Sequence, residues 1–240
     1  MPNWCYNSGS IKCTEKSNRA VFDKLAAHKV EEAGWFSSVL PCPPEMHLGI
    51  DAAEGRAEQM NLEWLKKNSE FRGDFGSFTQ FKGGNVSFNP TQEFKDYLTE
   101  KYGATNWWHW RLKRYGCKWD VKLEEIEVQG DELFVSFSSA WGPPLEFFRY
   151  LGSQGLDVSL SYQESGQGFA GELDITDGKE DSEHHEGDDY VLFRLSEGED
   201  LCDIYYDIED FESYEEWLER NDAPTNKKLV AAIEAYFDEL

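Results

Sequence analysis

Apolar and polar residues alternate with a period of two in several stretches of the chain, and a helical period governs most of the segments between them. Residues 5–13 read as a first strand, ended by Thr14 and a polar turn. Ser17 or Asn18 caps a helix that runs to about His28, with Val21, Leu25 and His28 near one face. Pro41, Pro43 and Pro44 then break any regular element. Residues 53–69 predict a helix through Ala57, Met60, Trp64 and Leu65. The Gly- and Phe-rich residues 71–88 predict two short strands about a turn at Gly83-Gly84-Asn85. Pro90 sits at the start of a further helix carrying Phe94, Tyr97, Leu98 and Tyr102, and Gly103 closes it.

Residues 106–116 (NWWHWRLKRYG) predict a short aromatic helix. Residues 121–128 and 132–140 alternate across Gln129-Gly130-Asp131, a hairpin signal. Pro143-Pro144 opens a helix through Leu151 that Gly155 stops, and residues 157–163 and 169–175 form another alternating pair. With the inserted helices set aside, the order is β-α-β-β-α-β plus one strand. The expected class is α+β: a ferredoxin-like antiparallel sheet with helices on one face and a helical insertion after the first βα unit. We expect residues 1–178 to form that domain, with the insertion at about 41–105.

The remainder reads as an acidic α+β extension, 179–240, made of a β-hairpin and two helices packed on the domain. The polar tract at 177–189 (DGKEDSEHHEGDD) is the expected joint, a solvated acidic loop. Tyr190–Leu195 and Leu201–Ile208 are the strand candidates, around Ser196–Asp200. Phe211, Tyr214, Trp217 and Leu218 share a helical face, and Thr225 caps a last helix with Leu229, Ile233 and Phe237.

Charge divides the chain at the same place. The formal net charge is −24, yet residues 171–240 alone hold 24 acids against 5 bases. So strong an asymmetry marks a region with its own role, and it argues against direct nucleic-acid binding, because phosphates are repelled. No apolar run is long enough to span a membrane. The start, MPNWC, lacks the basic and apolar regions of a signal peptide. Five scattered cysteines without a CxxC pair fit free thiols in a reducing compartment, so the cytoplasm of a host cell is the expected location.

Four segments in order carry a resemblance: MPNWCYN at 1–7, NWWHW with GCKWD at 106–120, FSSAWGPP at 137–144 and GQGFAGEL at 166–173. They resemble the ferredoxin-like domain of the YubB/Api92-like proteins of phages, plasmids and other mobile elements. The resemblance covers residues 1–178 and not the acidic extension, and it implies a fold and a mobile-element origin without implying a chemistry.

No catalytic residue, cofactor site or metal site is expected. His184-His185 lie among acids that could hold a divalent ion, but their spacing fits no coordination scaffold. Gly166, Gly168 and Gly171 run between two strands, so they are no dinucleotide loop. Cys5, Cys42 or Cys117 with a distant His would be a nucleophilic pair without a local signature. The chain therefore reads as a non-enzymatic phage or mobile-element protein, an acidic nucleic-acid mimic that inhibits a host DNA- or RNA-targeting defence protein. Its partner is expected to be a host nucleic-acid-binding protein with a basic groove. The expected partner-binding carboxylates are Asp181, Glu183, Glu186, Asp188, Asp189, Glu197, Glu199, Asp200, Asp203, Asp207, Glu209, Asp210, Glu212, Glu215, Glu216 and Glu219. An alternative is a small-molecule or peptide module whose pocket is lined by Trp107, Trp110, Arg111, Trp119, Asp120 and Trp141. A competing expectation makes these tryptophans an aromatic core, with Trp107 and Trp119 needed for folding.

Overall fold

The protein is described here as a computed structural model, which covers residues 3–47, 55–80, 86–205, 208, 211, 213–221 and 223–238. The turn expected at Gly83-Gly84-Asn85 lies outside these residues. Strand β1 (Trp4–Lys12) pairs antiparallel with β5 (Glu132–Ala140) on one side and β6 (Asp157–Glu164) on the other. With β4 (Leu123–Gln129), β7 (Phe169–Thr176) and β8 (Lys179–Glu186) they form a six-stranded sheet in the order β4-β5-β1-β6-β7-β8. Helix α1 (Arg19–Ala26) follows β1 and α5 (Leu145–Ser153) follows β5, so β1-α1-β4-β5-α5-β6 is a ferredoxin-like unit, as the alternation predicted.

Period-two alternation sorts the strands into two faces. Cys5, Ile11, Leu133, Val135, Phe137, Leu160 and Leu173 point to one side and are buried. There they join Phe22 and Leu25 of α1 and Phe147, Phe148 and Leu151 of α5 in one apolar cluster. Gly9 has no side chain for a reason of space. A Cβ there would stand 2.8 Å from the Ser159 carbonyl oxygen and 3.3 Å from the Phe148 ring.

Trp35 completes this core from the connection after α1. It is fully buried, with its ring 5.5 Å from both Phe137 and Phe147. The turn Phe36–Ser38 that follows is fixed by Asp120, whose carboxylate accepts the Phe36 and Ser37 backbone N–H groups at 2.8 and 3.0 Å. Between α1 and β4 the chain also carries α2 (Gly55–Asn68), the hairpin β2 (Gly76–Gln80) and β3 (Val86–Pro90), α3 (Gln92–Tyr102) and α4 (Trp107–Tyr115). Phe71, Phe75, Phe94 and Tyr97 pack here, and Thr91, one residue after the expected Pro90, caps α3 by accepting the Phe94 N–H.

The C-terminal region departs from expectation in two places. The tract at 177–189 is a strand for most of its length. Asp177 and Gly178 take φ of 51° and 73°, a two-residue left-handed turn, and residues 179–186 return along β7 as β8. The two strand candidates are helices, α6 (Asp188–Ser196) and α7 (Leu201–Ile204). A short apolar run fits either state, and here the ends decide: Asp188 and Asp189 occupy the first turn of α6, Arg194 the last, and Gly198 leaves at φ 91°.

With α8 (Tyr214–Leu218) and α9 (Lys227–Asp238), these helices build a second apolar cluster of Tyr190, Val191, Phe211, Trp217, Leu229 and Ile233. Ala170 of β7 is its point on the sheet. In register Ala170 faces Gln163, which faces Tyr6, so the cluster sits on the sheet surface opposite α1 and α5. The cap of α9 falls one residue later than expected: the Asn226 side chain accepts the Lys228 N–H at 3.0 Å. Thr225 instead donates its N–H and hydroxyl to Asp188 at 2.6 and 2.8 Å, and the Asn226 N–H reaches the same oxygen at 2.7 Å.

Asp188 therefore ties the start of α6 to the start of α9. Partial burial works against the charged carboxylate, but these hydrogen bonds outweigh it and hold Asp188 below its ordinary range. A lowered folded-state pKa means stabilisation that is present above the ordinary carboxylate range and lost as pH falls through the folded value. Asp188→Ala should loosen α9 by about 1 kcal/mol, in the range of a lost helix cap. Hydrogen exchange over 227–238 checks this: it should rise in the variant while β1 and β5 stay protected. In the unaltered protein the protection factors over the same residues, corrected for the intrinsic rate, should fall on acidification.

Candidate functional site

The sheet surface turned away from α1 and α5 can be read row by row from strand register. One row runs Glu127, Phe134, Ser10, Ser159, Asp174, Asp181. The next runs Glu125, Ser136, Ser8, Ser161, Glu172, Glu183. Each begins and ends in carboxylates and crosses hydroxyls in between. Ser8, Ser10, Ser136, Ser159 and Ser161 floor a shallow trough of about 730 Å³, rimmed by Glu125 and Glu127. With strands about 4.8 Å apart, the two acidic margins stand roughly 19–24 Å from each other.

The β7–β8 margin is electrostatically unfavourable in isolation. Glu172 lies directly opposite Glu183, and Asp174 directly opposite Asp181. All four are exposed, and Glu172, Asp174 and Asp181 make no ion pair among the described residues. Like charges directly opposite destabilise an antiparallel pair. Strand β8 is held by other contacts. On its helix-side face the Arg149 guanidinium donates to Glu180 at 2.7 Å, and the Tyr162 hydroxyl lies 3.0 Å from His184 Nδ1. On the open face His185 stacks on Phe193 of α6 with ring centroids 4.7 Å apart. Arg149 holds Glu180 below the usual carboxylate range.

The expected partner-binding carboxylates scatter over this frame. Asp181 and Glu183 lie on the open face, whereas Glu186 shares the opposite face of β8 with His184. Asp188 is a structural cap, and Asp189 accepts the Asn226 side-chain amide at 3.3 Å. Glu199 is engaged by Arg194, whose Nε donates to it at 2.8 Å. Glu197 and Glu219 are exposed, just past the ends of α6 and α8. Asp200 precedes α7, Asp203 lies on α7, and Glu215 and Glu216 lie on α8. Asp207, Glu209, Asp210 and Glu212 lie outside the described residues. The rows expected from Asp203 to Glu219 are thus not what the fold aligns. The residues it does align include Glu172, Asp174, Glu125 and Glu127, which were missed, although the alternation of residues 169–175 already put Glu172 and Asp174 on the polar side.

The expected tryptophan pocket divides in two. Trp110 is buried against Tyr115, and Trp107 is partly buried with the Arg111 guanidinium over its ring at 5.2 Å. Trp119 and Trp141 are 37% and 49% exposed, which corrects the expectation that Trp119 belongs to the core. It projects beside Trp4, at 6.3 Å, because Asp120 next to it is the residue that turns inward to cap.

Chemistry by cysteine or metal gains no support from the geometry. Burial pushes the Cys5, Cys42 and Cys117 thiols up to about 12, so they are protonated and weakly nucleophilic at neutral pH. His184 and His185 are neighbours on a strand and point to opposite faces, so they cannot share an ion. Among the described residues no three His, Cys, Asp or Glu side chains are placed to hold a metal, and no helix is long and apolar enough to cross a membrane.

Residues 118–209 match the family model described as the ferredoxin-like domain in Api92-like protein. The chain is also similar to the crystal structure of a protein Api92 from Yersinia pseudotuberculosis, at 13% identity over 78% of this chain and 99% of that one, with a TM-score of 0.39. No curated protein matches it.

The cross-strand pairs make a stability prediction. Neutralising Glu172, Asp174, Asp181 and Glu183 together as E172Q, D174N, D181N and E183Q should stabilise the fold, since each like-charged pair costs about 0.2–1 kcal/mol. Thermal unfolding followed by circular dichroism checks it: the variant should melt higher at low salt, and added salt should raise the Tm of the unaltered protein more than that of the variant.

Proposed function

We propose that this chain, whose residues 118–209 match the ferredoxin-like domain in Api92-like protein, is a non-enzymatic protein that binds through its acidic sheet face as a nucleic-acid mimic. The observation that carries this reading is the doubled row on β7 and β8. Carboxylates recur every about 6.8 Å along each strand, so the pair of strands presents one charge per about 3.4 Å of length. One strand of duplex DNA presents a charge at the same density along its axis. A fixed sheet keeps that spacing without the entropy loss that long flexible side chains on a loop would incur.

The cost of the arrangement supports the same reading. Solubility is served by charges placed anywhere on the surface and gives no reason to set acids directly opposite acids. A protein partner whose Lys and Arg normally hold phosphates would relieve that repulsion on docking, and the −24 net charge would steer it in. A mobile-element origin fits a target in host defence, such as a nuclease with a basic groove, reached in the host cytoplasm.

Two measurements test the proposal. The protein should give no gel-shift with duplex DNA or RNA at moderate salt, and a clear complex at micromolar protein would remove the reading. A partner retained from host lysate on the immobilised protein should be released by duplex DNA as well as by salt, and the E172Q, D174N, D181N and E183Q variant should retain far less. Retention that DNA does not displace and the variant keeps would contradict mimicry.

A further inference from the structure

The open face ends, beyond the serine floor, in an aromatic corner that the acidic rows do not explain. Trp4 and Tyr6 project from β1 and are 46% and 62% exposed. The Trp119 ring stands 6.3 Å from that of Trp4, inclined at 45°. Trp141 follows β5, and its backbone N–H donates to the Asn3 carbonyl at 2.9 Å, next to Trp4 in the chain. Its φ is 72°, a region that bulky residues avoid, and its indole is half-exposed. Large apolar side chains gathered at the surface mark an interaction site more often than they mark nothing.

A hollow of about 560 Å³ beside Trp4 and Tyr6 is lined by these two and by Glu31, Asp120, Glu124 and Ser138, with Val121 and Lys122. Its three carboxylates have different duties. Asp120 is spent on the Phe36 and Ser37 N–H groups, and Glu31 lies 3.9 Å from Lys122. Glu124 makes no ion pair among the described residues. The Ser138 hydroxyl donates to its Oε1 at 2.6 Å, which fixes the carboxylate and leaves Oε2 for a ligand.

We propose that this corner binds a guanidinium group, that of an arginine side chain on a partner protein. The Trp4 indole and the Tyr6 phenol line the hollow and offer π faces on which a flat cation stacks, with Trp119 inclined beside Trp4, and a fixed carboxylate accepts its fork of N–H donors. A cation already stands over the neighbouring indole: Lys118 Nζ sits 5.0 Å from the centre of the Trp119 ring. An ammonium uses one point of such a site. A guanidinium uses the ring faces and the carboxylate together, so arginine fits better than lysine. This inference does not rest on the mimic reading, because it concerns other side chains.

The test is a titration of the full chain with acetyl-Gly-Arg-Gly-amide and acetyl-Gly-Lys-Gly-amide, followed by tryptophan fluorescence and indole N–H resonances. Guanidinium chloride in a third arm separates the bare cation from the presented side chain. The arginine peptide should saturate, and bind about tenfold more tightly than the lysine peptide and more tightly than guanidinium. E124Q and W119A, both at exposed positions, should each weaken it several-fold while far-UV circular dichroism is unchanged. E172Q with D174N should leave it unaltered. Absence of saturation, equal response to the two peptides, or full binding in E124Q would overturn the proposal. If W119A disturbs the fold, E124Q decides alone.

Discussion

Everything in this molecule follows from strand β1 being paired on both sides, because its alternation then sets the parity of the whole sheet. The register is pinned by a buried polar contact. Asn7 is 4% exposed, and its side-chain amide donates to the Cys5 carbonyl at 2.7 Å, the Phe137 carbonyl at 3.3 Å and the Ser139 hydroxyl at 2.9 Å. A slip of one residue would break these bonds, bury Tyr6 and Ser8 and expose Ile11. The partners of Gly9 leave no room for any other residue there. One face is thereby committed to Trp35, Phe147 and Phe148, and the other to serine, acid and exposed indole.

The acidic region is attached to that frame rather than hung from it. Strand β8 has scarcely an apolar residue, yet it completes the ladder of β7 and covers an edge that would otherwise be open. Its own outer edge, KEDSEHHE, is charged enough to discourage a further strand from pairing. The helices beyond it return across the sheet at Ala170 and are locked by Asp188 at the start of α9. The same segment therefore makes the carboxylate rows and fixes where the second apolar cluster stands.

Much of this was legible in the sequence wherever burial is one-sided. Residues 132–140 and 157–163 alternate cleanly, and turns such as Gln129-Gly130-Asp131 declare the hairpins between them. Strand β8 was not legible by that rule, since it has no apolar positions to alternate. Its signal was the Asp177-Gly178 turn, which fixes a two-residue hairpin whatever follows it. Residues 190–195 misled because five of six are apolar or aromatic, a run that serves strand or helix equally. Trp119 misled for another reason: its neighbour Asp120 took the inward place, a choice made by a cap 84 residues away in the chain. For the candidate site, charge count singled out residues 171–240 and passed over Glu125 and Glu127. It could not rank the acids, because Asp188 and Glu199 are consumed by local bonds while Glu172 and Asp174 are exposed and make no ion pair among the described residues.

The central claim is that the carboxylates of β7 and β8 meet the basic groups of a partner. Zero-length carbodiimide coupling joins a carboxylate only to an amine that it touches, so it reads this contact directly. Applied to the captured complex and resolved by mass spectrometry, it should join partner lysines to Glu172, Asp174, Asp181 and Glu183. Coupling confined to Glu197 and Glu219, past the ends of α6 and α8, or none at all from a complex that is otherwise intact, would contradict the account.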